Sequence, residues 1–155
     1  MRTIKFKAKR LDNQEWICGF FYKENGNTYI IEDRQKECML NRNIPYKVAP
    51  DTVCQFTGFL DKSGREIYEG DILRSDEYHF SCMEDDARDN YFGIIEWSDE
   101  EAMFLLTCVK NPKSAVRGIS DGISDEITQQ KLEDCELVGC IHDPEWQEKL
   151  NLKDE

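Results

Sequence analysis

A chain of 155 residues is long enough for one large domain or two small ones, and can bury enough surface to fold without disulfide staples. Its seven cysteines are odd in number and form no Cys-x-x-Cys pair, which argues against a disulfide framework and for free thiols in a cytoplasm. The net charge of −12 is uneven: residues 1–50 hold ten Lys/Arg and six Asp/Glu (+4), residues 51–155 ten and twenty-six (−16), so most of the surface repels nucleic acid and favours basic partners.

Met1 to Arg10 contains no apolar segment of a secretory signal, and the longest apolar run, Ala102 to Leu106, is too short to span a bilayer. Ile4, Phe6 and Ala8 instead alternate with Lys5, Lys7 and Lys9, the period of two of a strand with one face buried. The nearly continuous aromatic and apolar run Trp16 to Tyr22, interrupted by Gly19, predicts a second strand, covered on both faces. Asn25-Gly26-Asn27 is a turn leading into a third strand over Thr28 to Ile31. Residues 1–50 therefore read as an antiparallel meander, with a boundary near Pro50.

Residues 51–155 read as a second β-rich unit, whose Gly-Asp-Ile start and Gly93-Ile94-Ile95-Glu96-Trp97 hairpin resemble an SH3-like small barrel. Val53 to Thr57 is a strand, Asp61-Lys62-Ser63-Gly64 a turn and Glu69-Gly70-Asp71 a tight reversal into Ile72-Leu73-Arg74. Tyr91 to Trp97 and Ala102 to Cys108 form a hairpin, and Glu136 to His142 is the last strand. The acidic insertion 76–90 reads as a solvated loop, and the tandem Gly-Ile-Ser-Asp of residues 118–125 as part of another. Helix is scarce: a short one around 125–132, and a terminal one over 143–150 with Asp143 as N-cap and Pro144 at the first helical position. The fold class is mainly β.

The stretch from Gln55 to Leu73, with its three glycines, together with Ile4-Lys5-Phe6-Lys7-Ala8 and Glu136-Leu137-Val138-Gly139, resembles the YopX-like proteins carried by bacteriophages and prophages. The resemblance covers nearly the whole chain apart from residues 76–90. It implies a phage or prophage accessory protein and no particular reaction.

The residues themselves carry little catalytic chemistry. There is no phosphate-binding loop, no Gly-x-Ser-x-Gly elbow and no His-Glu-x-x-His pair, and no cofactor is implied. His79 and Cys82 with Cys140 and His142 are the best candidate set of tetrahedral zinc ligands, the latter two placed on one strand face by their spacing; a buried thiol and a surface imidazole is the plainer reading. Lys5, Lys7, Lys9 and Arg10 beside Trp16, Phe20 and Tyr22 mix charge and rings as single-strand nucleic-acid binders do. Lysines guarding an edge strand, with the rings in the core, explain the same pattern and are preferred. Gln55, Thr57, Glu66, Tyr68, Glu69 and Asp71 are the polar residues of the glycine-rich stretch, and the place to look for a binding surface.

The favoured reading is a non-enzymatic module that binds a protein partner. Nucleic-acid binding or mimicry, and a carboxylate-based enzyme, are the alternatives. Edge strands and terminal aromatics such as Trp146 would also permit a homo-oligomer.

Overall fold

The computed structural model describes residues 3–32, 44–75, 91–109 and 124–150. The expectations for the insertion 76–90, and for His79 and Cys82, lie outside them. The chain divides into two compact units, residues 1–58 and 59–155.

In the first unit, β1 (Phe6–Lys9), β2 (Trp16–Glu24), β3 (Asn27–Ile31) and β4 (Pro45–Val48) form the meander, and a 3-10 turn over Pro50–Thr52 leads into β5 (Cys54–Leu60). The order is β4-β3-β2-β1-β5, every pair antiparallel. The β2–β3 reversal places Asn25 and Gly26 at positive φ, 49° and 75°, the backbone twist that a two-residue hairpin requires. At the far end the meander curls until Arg10 bridges Val48, with Leu11 N–H donating to the Lys47 carbonyl and Ala49 N–H to the Lys9 carbonyl.

This curl fixes which face is interior. Ala8, Ile17, Ile30 and Val48 are buried together, with Phe6, Phe21, Tyr46 and Val53 packed around them. Two expectations change as a result. β1 lies between β2 and β5 and is an inner strand, so its lysines do not guard an edge. β2 is not covered on both faces: Ile17 and Gly19 are buried, but Cys18 and Phe20, which alternate with them, are exposed. An apolar run hides period-two alternation when the outward positions are themselves aromatic.

The second unit begins within β5. β6 (Glu66–Tyr68) follows a turn, and the sheet has the order β10-β9-β8-β7-β11, built from β7 (Asp71–Ser75), β8 (Tyr91–Ser98), β9 (Met103–Val109), β10 (Ser124–Glu126) and β11 (Cys135–Cys140). One cluster contains Ile67, Leu73, Ile95, Phe104, Leu106, Ile127, Leu132 and Cys135. The other sets Ile72 and Ile94 against Trp146. The helix expected over 125–132 is confined to α1 (Gln129–Leu132), because Ser124–Glu126 pairs with β9 instead and Thr128 accepts from Lys131 N–H as N-cap.

The terminal helix α2 (Pro144–Lys149) forms as expected, but Asp143 does not cap it with its side chain: that carboxylate accepts from Cys140 N–H at 3.1 Å. Trp146 is buried, its Nε1 donating to the Val138 carbonyl at 3.1 Å, and so is not an exposed aromatic for self-association. A bulge between Leu137 and Gly139 allows this approach. A Cβ at Gly139 would overlap Trp146 Nε1 and Cδ1, which explains the glycine.

Candidate functional site

Three groups of residues compete for a functional role, and their surroundings separate them. The first is the outward face of the β1–β4 meander. Opposed residues of antiparallel strands point to the same side, so the pairs Lys9↔Trp16, Lys7↔Cys18, Phe20↔Ile31, Tyr22↔Tyr29 and Tyr29↔Lys47 define one continuous face. Lys7 Nζ and Lys9 Nζ lie 4.8 and 5.2 Å from the Trp16 ring centroid, so one indole meets two ammonium groups. Lys5 Nζ lies 4.8 Å from the Phe56 ring. Tyr22 and Tyr29 stack with centroids 5.0 Å apart and planes 15° apart. Partial burial, then the negative charge of Glu24, raise the Tyr22 phenol above its ordinary value, so it is an uncharged ring at neutral pH. Phe20 is 53% exposed in the middle of the face.

Arg10, the fourth member of the expected basic comb, is diverted. Its guanidinium bonds to Asp12 and lies 4.3 Å from the Tyr46 ring, at the rim of the buried cluster. The hydrogen bond to Asp12 outweighs desolvation and raises Arg10 further, while lowering Asp12. Tyr29, Ile31 and Lys47 belong to the face but escaped the sequence reading. They sit on other strands, and only the register brings them to β2.

The second group is the polar set of the glycine-rich stretch. Asp71 is fully buried and accepts Tyr68 N–H at 2.8 Å, closing the reversal in which Gly70 has φ +75°. Gly70 N–H donates to the Ile95 carbonyl, and the Gly70 carbonyl accepts from Ile141 N–H, tying the reversal to β8 and to the end of β11. Tyr68 is buried, and its hydroxyl donates to Glu66 at 2.8 Å rather than reaching solvent. The structure thus joins Glu66, Tyr68 and Asp71. Glu69 is half-buried beside them in sequence; Gln55, paired with Phe6, and the buried Thr57 stand on β5.

Asp61 stands out in the third group, at the turn between β5 and β6. Its carboxylate is inaccessible to solvent and accepts from Ser63 N–H (2.8 Å), Arg65 N–H (2.8 Å), Arg65 Nε (2.8 Å) and Leu137 N–H (3.1 Å). Desolvation alone would raise this acid, but the hydrogen bonds from Arg65, Leu137 and Ser63 outweigh it and hold Asp61 below its ordinary 3.8. Nearby, Glu136 accepts from Arg74 at 2.6 Å and pairs with Lys62 at 3.5 Å; the Lys62 charge is the largest influence holding its carboxyl below the ordinary value. These carboxylates are committed to holding β11 and the turn in place.

The zinc reading loses its geometric premise. Cys140 is the last residue of β11 and buried, while His142 lies in the following turn, so the two do not share a strand face. Among the described residues, no group of three or more His, Cys, Asp or Glu could hold a metal ion. Among the same residues, no helix is long and apolar enough to cross a membrane.

Comparison with known proteins gives one family. The family model described as "YopX protein" matches residues 5–145. No curated protein matches. Among solved structures, the chain is similar to protein EF1440 from Enterococcus faecalis, with 17% identity and a TM-score of 0.46, the match covering 92% of this chain and 95% of that one.

Proposed function

The chain belongs to the YopX protein family, and we propose from this premise that it is an accessory protein of a phage or prophage that acts in the bacterial cytoplasm by binding another macromolecule. One observation carries the reading. The outward face of the meander presents Trp16, Phe20, Tyr22 and Tyr29 among lysines, with Phe20 more than half exposed at its centre. Aromatic rings held on a rigid sheet supply contact area at little entropic cost, which suits a docking surface better than a solvated face.

The polar set Glu66, Tyr68, Glu69 and Asp71 is, in our reading, framework of the second unit and not part of this surface. Gln55 and Thr57 have the same part on β5. The bond from Tyr68 N–H to Asp71 closes the reversal, Glu66 holds the Tyr68 hydroxyl, and a buried carboxylate such as Asp71 has no surface to offer a partner.

The test is a paired capture from bacterial lysate, using the intact chain and a Phe20→Glu variant whose fold is verified by circular dichroism. A specific macromolecule retained by the intact chain and lost by the variant is expected. The same species retained by both, or none retained by either, would contradict the assignment.

A further inference from the structure

We infer that the ligand of this face is a single-stranded nucleic acid, with bases stacked along β2 and phosphates held by the lysines on either side. The inference rests on the binding role proposed above and supplies its partner. Three features of the face lead to it.

The first is spacing. Trp16, Cys18, Phe20 and Tyr22 occupy alternate positions of β2 on the outward side, so successive side chains stand about 7 Å apart. That is close to the reach of one nucleotide in an extended strand, and base–ring stacking tolerates any sequence because every base has a π face. Tyr29 widens the platform, its ring lying 5.0 Å from that of Tyr22.

The second is the flanking charge. Lys7 and Lys9 lie opposite Cys18 and Trp16 on one side of β2, and Lys47 lies opposite Tyr29 across β3. Ammonium groups thus border the rings on both sides, as a strand with outward phosphates and inward bases requires. The Lys7 and Lys9 ammoniums rest over the Trp16 ring and can turn from it to a phosphate while their stems remain packed.

The third is charge separation along the chain. Residues 1–58 carry ten Lys/Arg and seven Asp/Glu, a net +3, leaving ten and twenty-five in residues 59–155, a net −15. The rings and bordering lysines therefore belong to the one unit with positive charge. A duplex hides its base faces and exposes two phosphate strands, so it gains nothing from the platform.

Fluorescence anisotropy with a labelled oligothymidylate of about twelve nucleotides, within the ~4–16 that a single OB-fold covers, tests the inference on the full chain. The single strand should bind more tightly than a duplex of the same length. Phe20→Ala should weaken binding about tenfold or more, consistent with the loss of one stacked base. Lys47→Gln should reduce the steepness of the salt dependence by about 0.7 in log–log slope. Both variants alter exposed side chains, and circular dichroism verifies their fold. Equal binding of the duplex or of a poly-glutamate peptide, or no binding by the folded chain, would overturn the inference. In that event a lysate protein still lost by Phe20→Glu would leave the binding role standing with a protein partner, whereas no Phe20-dependent species would remove both.

Discussion

Asp61→Ala should be the most damaging single substitution in the turn between β5 and β6. The carboxylate accepts three backbone N–H groups, from Ser63, Arg65 and Leu137, and also binds the Arg65 guanidinium. At about 1 kcal/mol net for each backbone bond, with little more for the half-exposed guanidinium, the loss is ~3–4 kcal/mol. With a urea slope of ~1–3 kcal/mol/M, the midpoint should fall by ~1–4 M. Asp61→Asn retains one oxygen acceptor but turns an NH2 group on its other donors, and should cost about 2 kcal/mol. The pH dependence follows from the direction of the shift. A carboxyl whose folded value lies below 3.8 contributes stability fully present above the unfolded value and lost as pH falls through the folded value. The gap between wild type and Asp61→Asn should be constant from neutral pH down to about 5, then narrow under acid conditions. A midpoint change below about 0.3 M, or a gap that keeps its full size below pH 3, would refute the role assigned to this hydrogen-bond cluster.

Three further outcomes can be measured on the purified chain. Gly139→Ala should destabilise by ~2–3 kcal/mol and shift Trp146 fluorescence, because the new methyl group displaces the indole and breaks its bond to the Val138 carbonyl; an unchanged spectrum and melting temperature would contradict this packing. Brief treatment of native protein with a thiol reagent, mapped by mass spectrometry, should modify Cys18 before Cys54, Cys135 or Cys140. Cys18 is exposed while the other three are buried, and burial pushes the Cys135 thiol up to about 11; early labelling of Cys135 would contradict its placement. Tyr68→Phe should cost ~1 kcal/mol through the lost bond to Glu66 and leave oligonucleotide binding unchanged, whereas an effect on binding alone would return the polar set to the ligand site.

Local chemistry made the turns legible in advance. Asn25-Gly26, Gly64 and Gly70 all have positive φ where reversals were read, and the alternation of Phe6 to Lys9 marked β1, although Ile4, expected on its buried face, precedes the strand and is exposed. Pairing between distant segments was not legible. That β1 is an inner strand depends on β5, nearly fifty residues later, joining its free side, and no local pattern announces such a partner. Asp61 looked like an ordinary turn residue because its tie to Leu137 spans 76 positions. Asp143 has the residue type and place of a helix cap, yet a closer donor, Cys140 N–H, takes its carboxylate. The candidate site suffered in the same way. Trp16, Phe20 and Tyr22 were visible as aromatics, but without the Gly19 side of β2 being known as interior they were indistinguishable from core.

The central claim is that the outward face of the meander is the binding surface, and amide chemical-shift mapping during oligothymidylate titration tests it residue by residue. The account predicts that the largest shifts fall on Lys7, Trp16, Cys18, Phe20, Tyr22, Tyr29 and Lys47, with the interior Ala8 and Ile30 changing little. Shifts concentrated on β7 to β11 would place the surface in the second unit and contradict it.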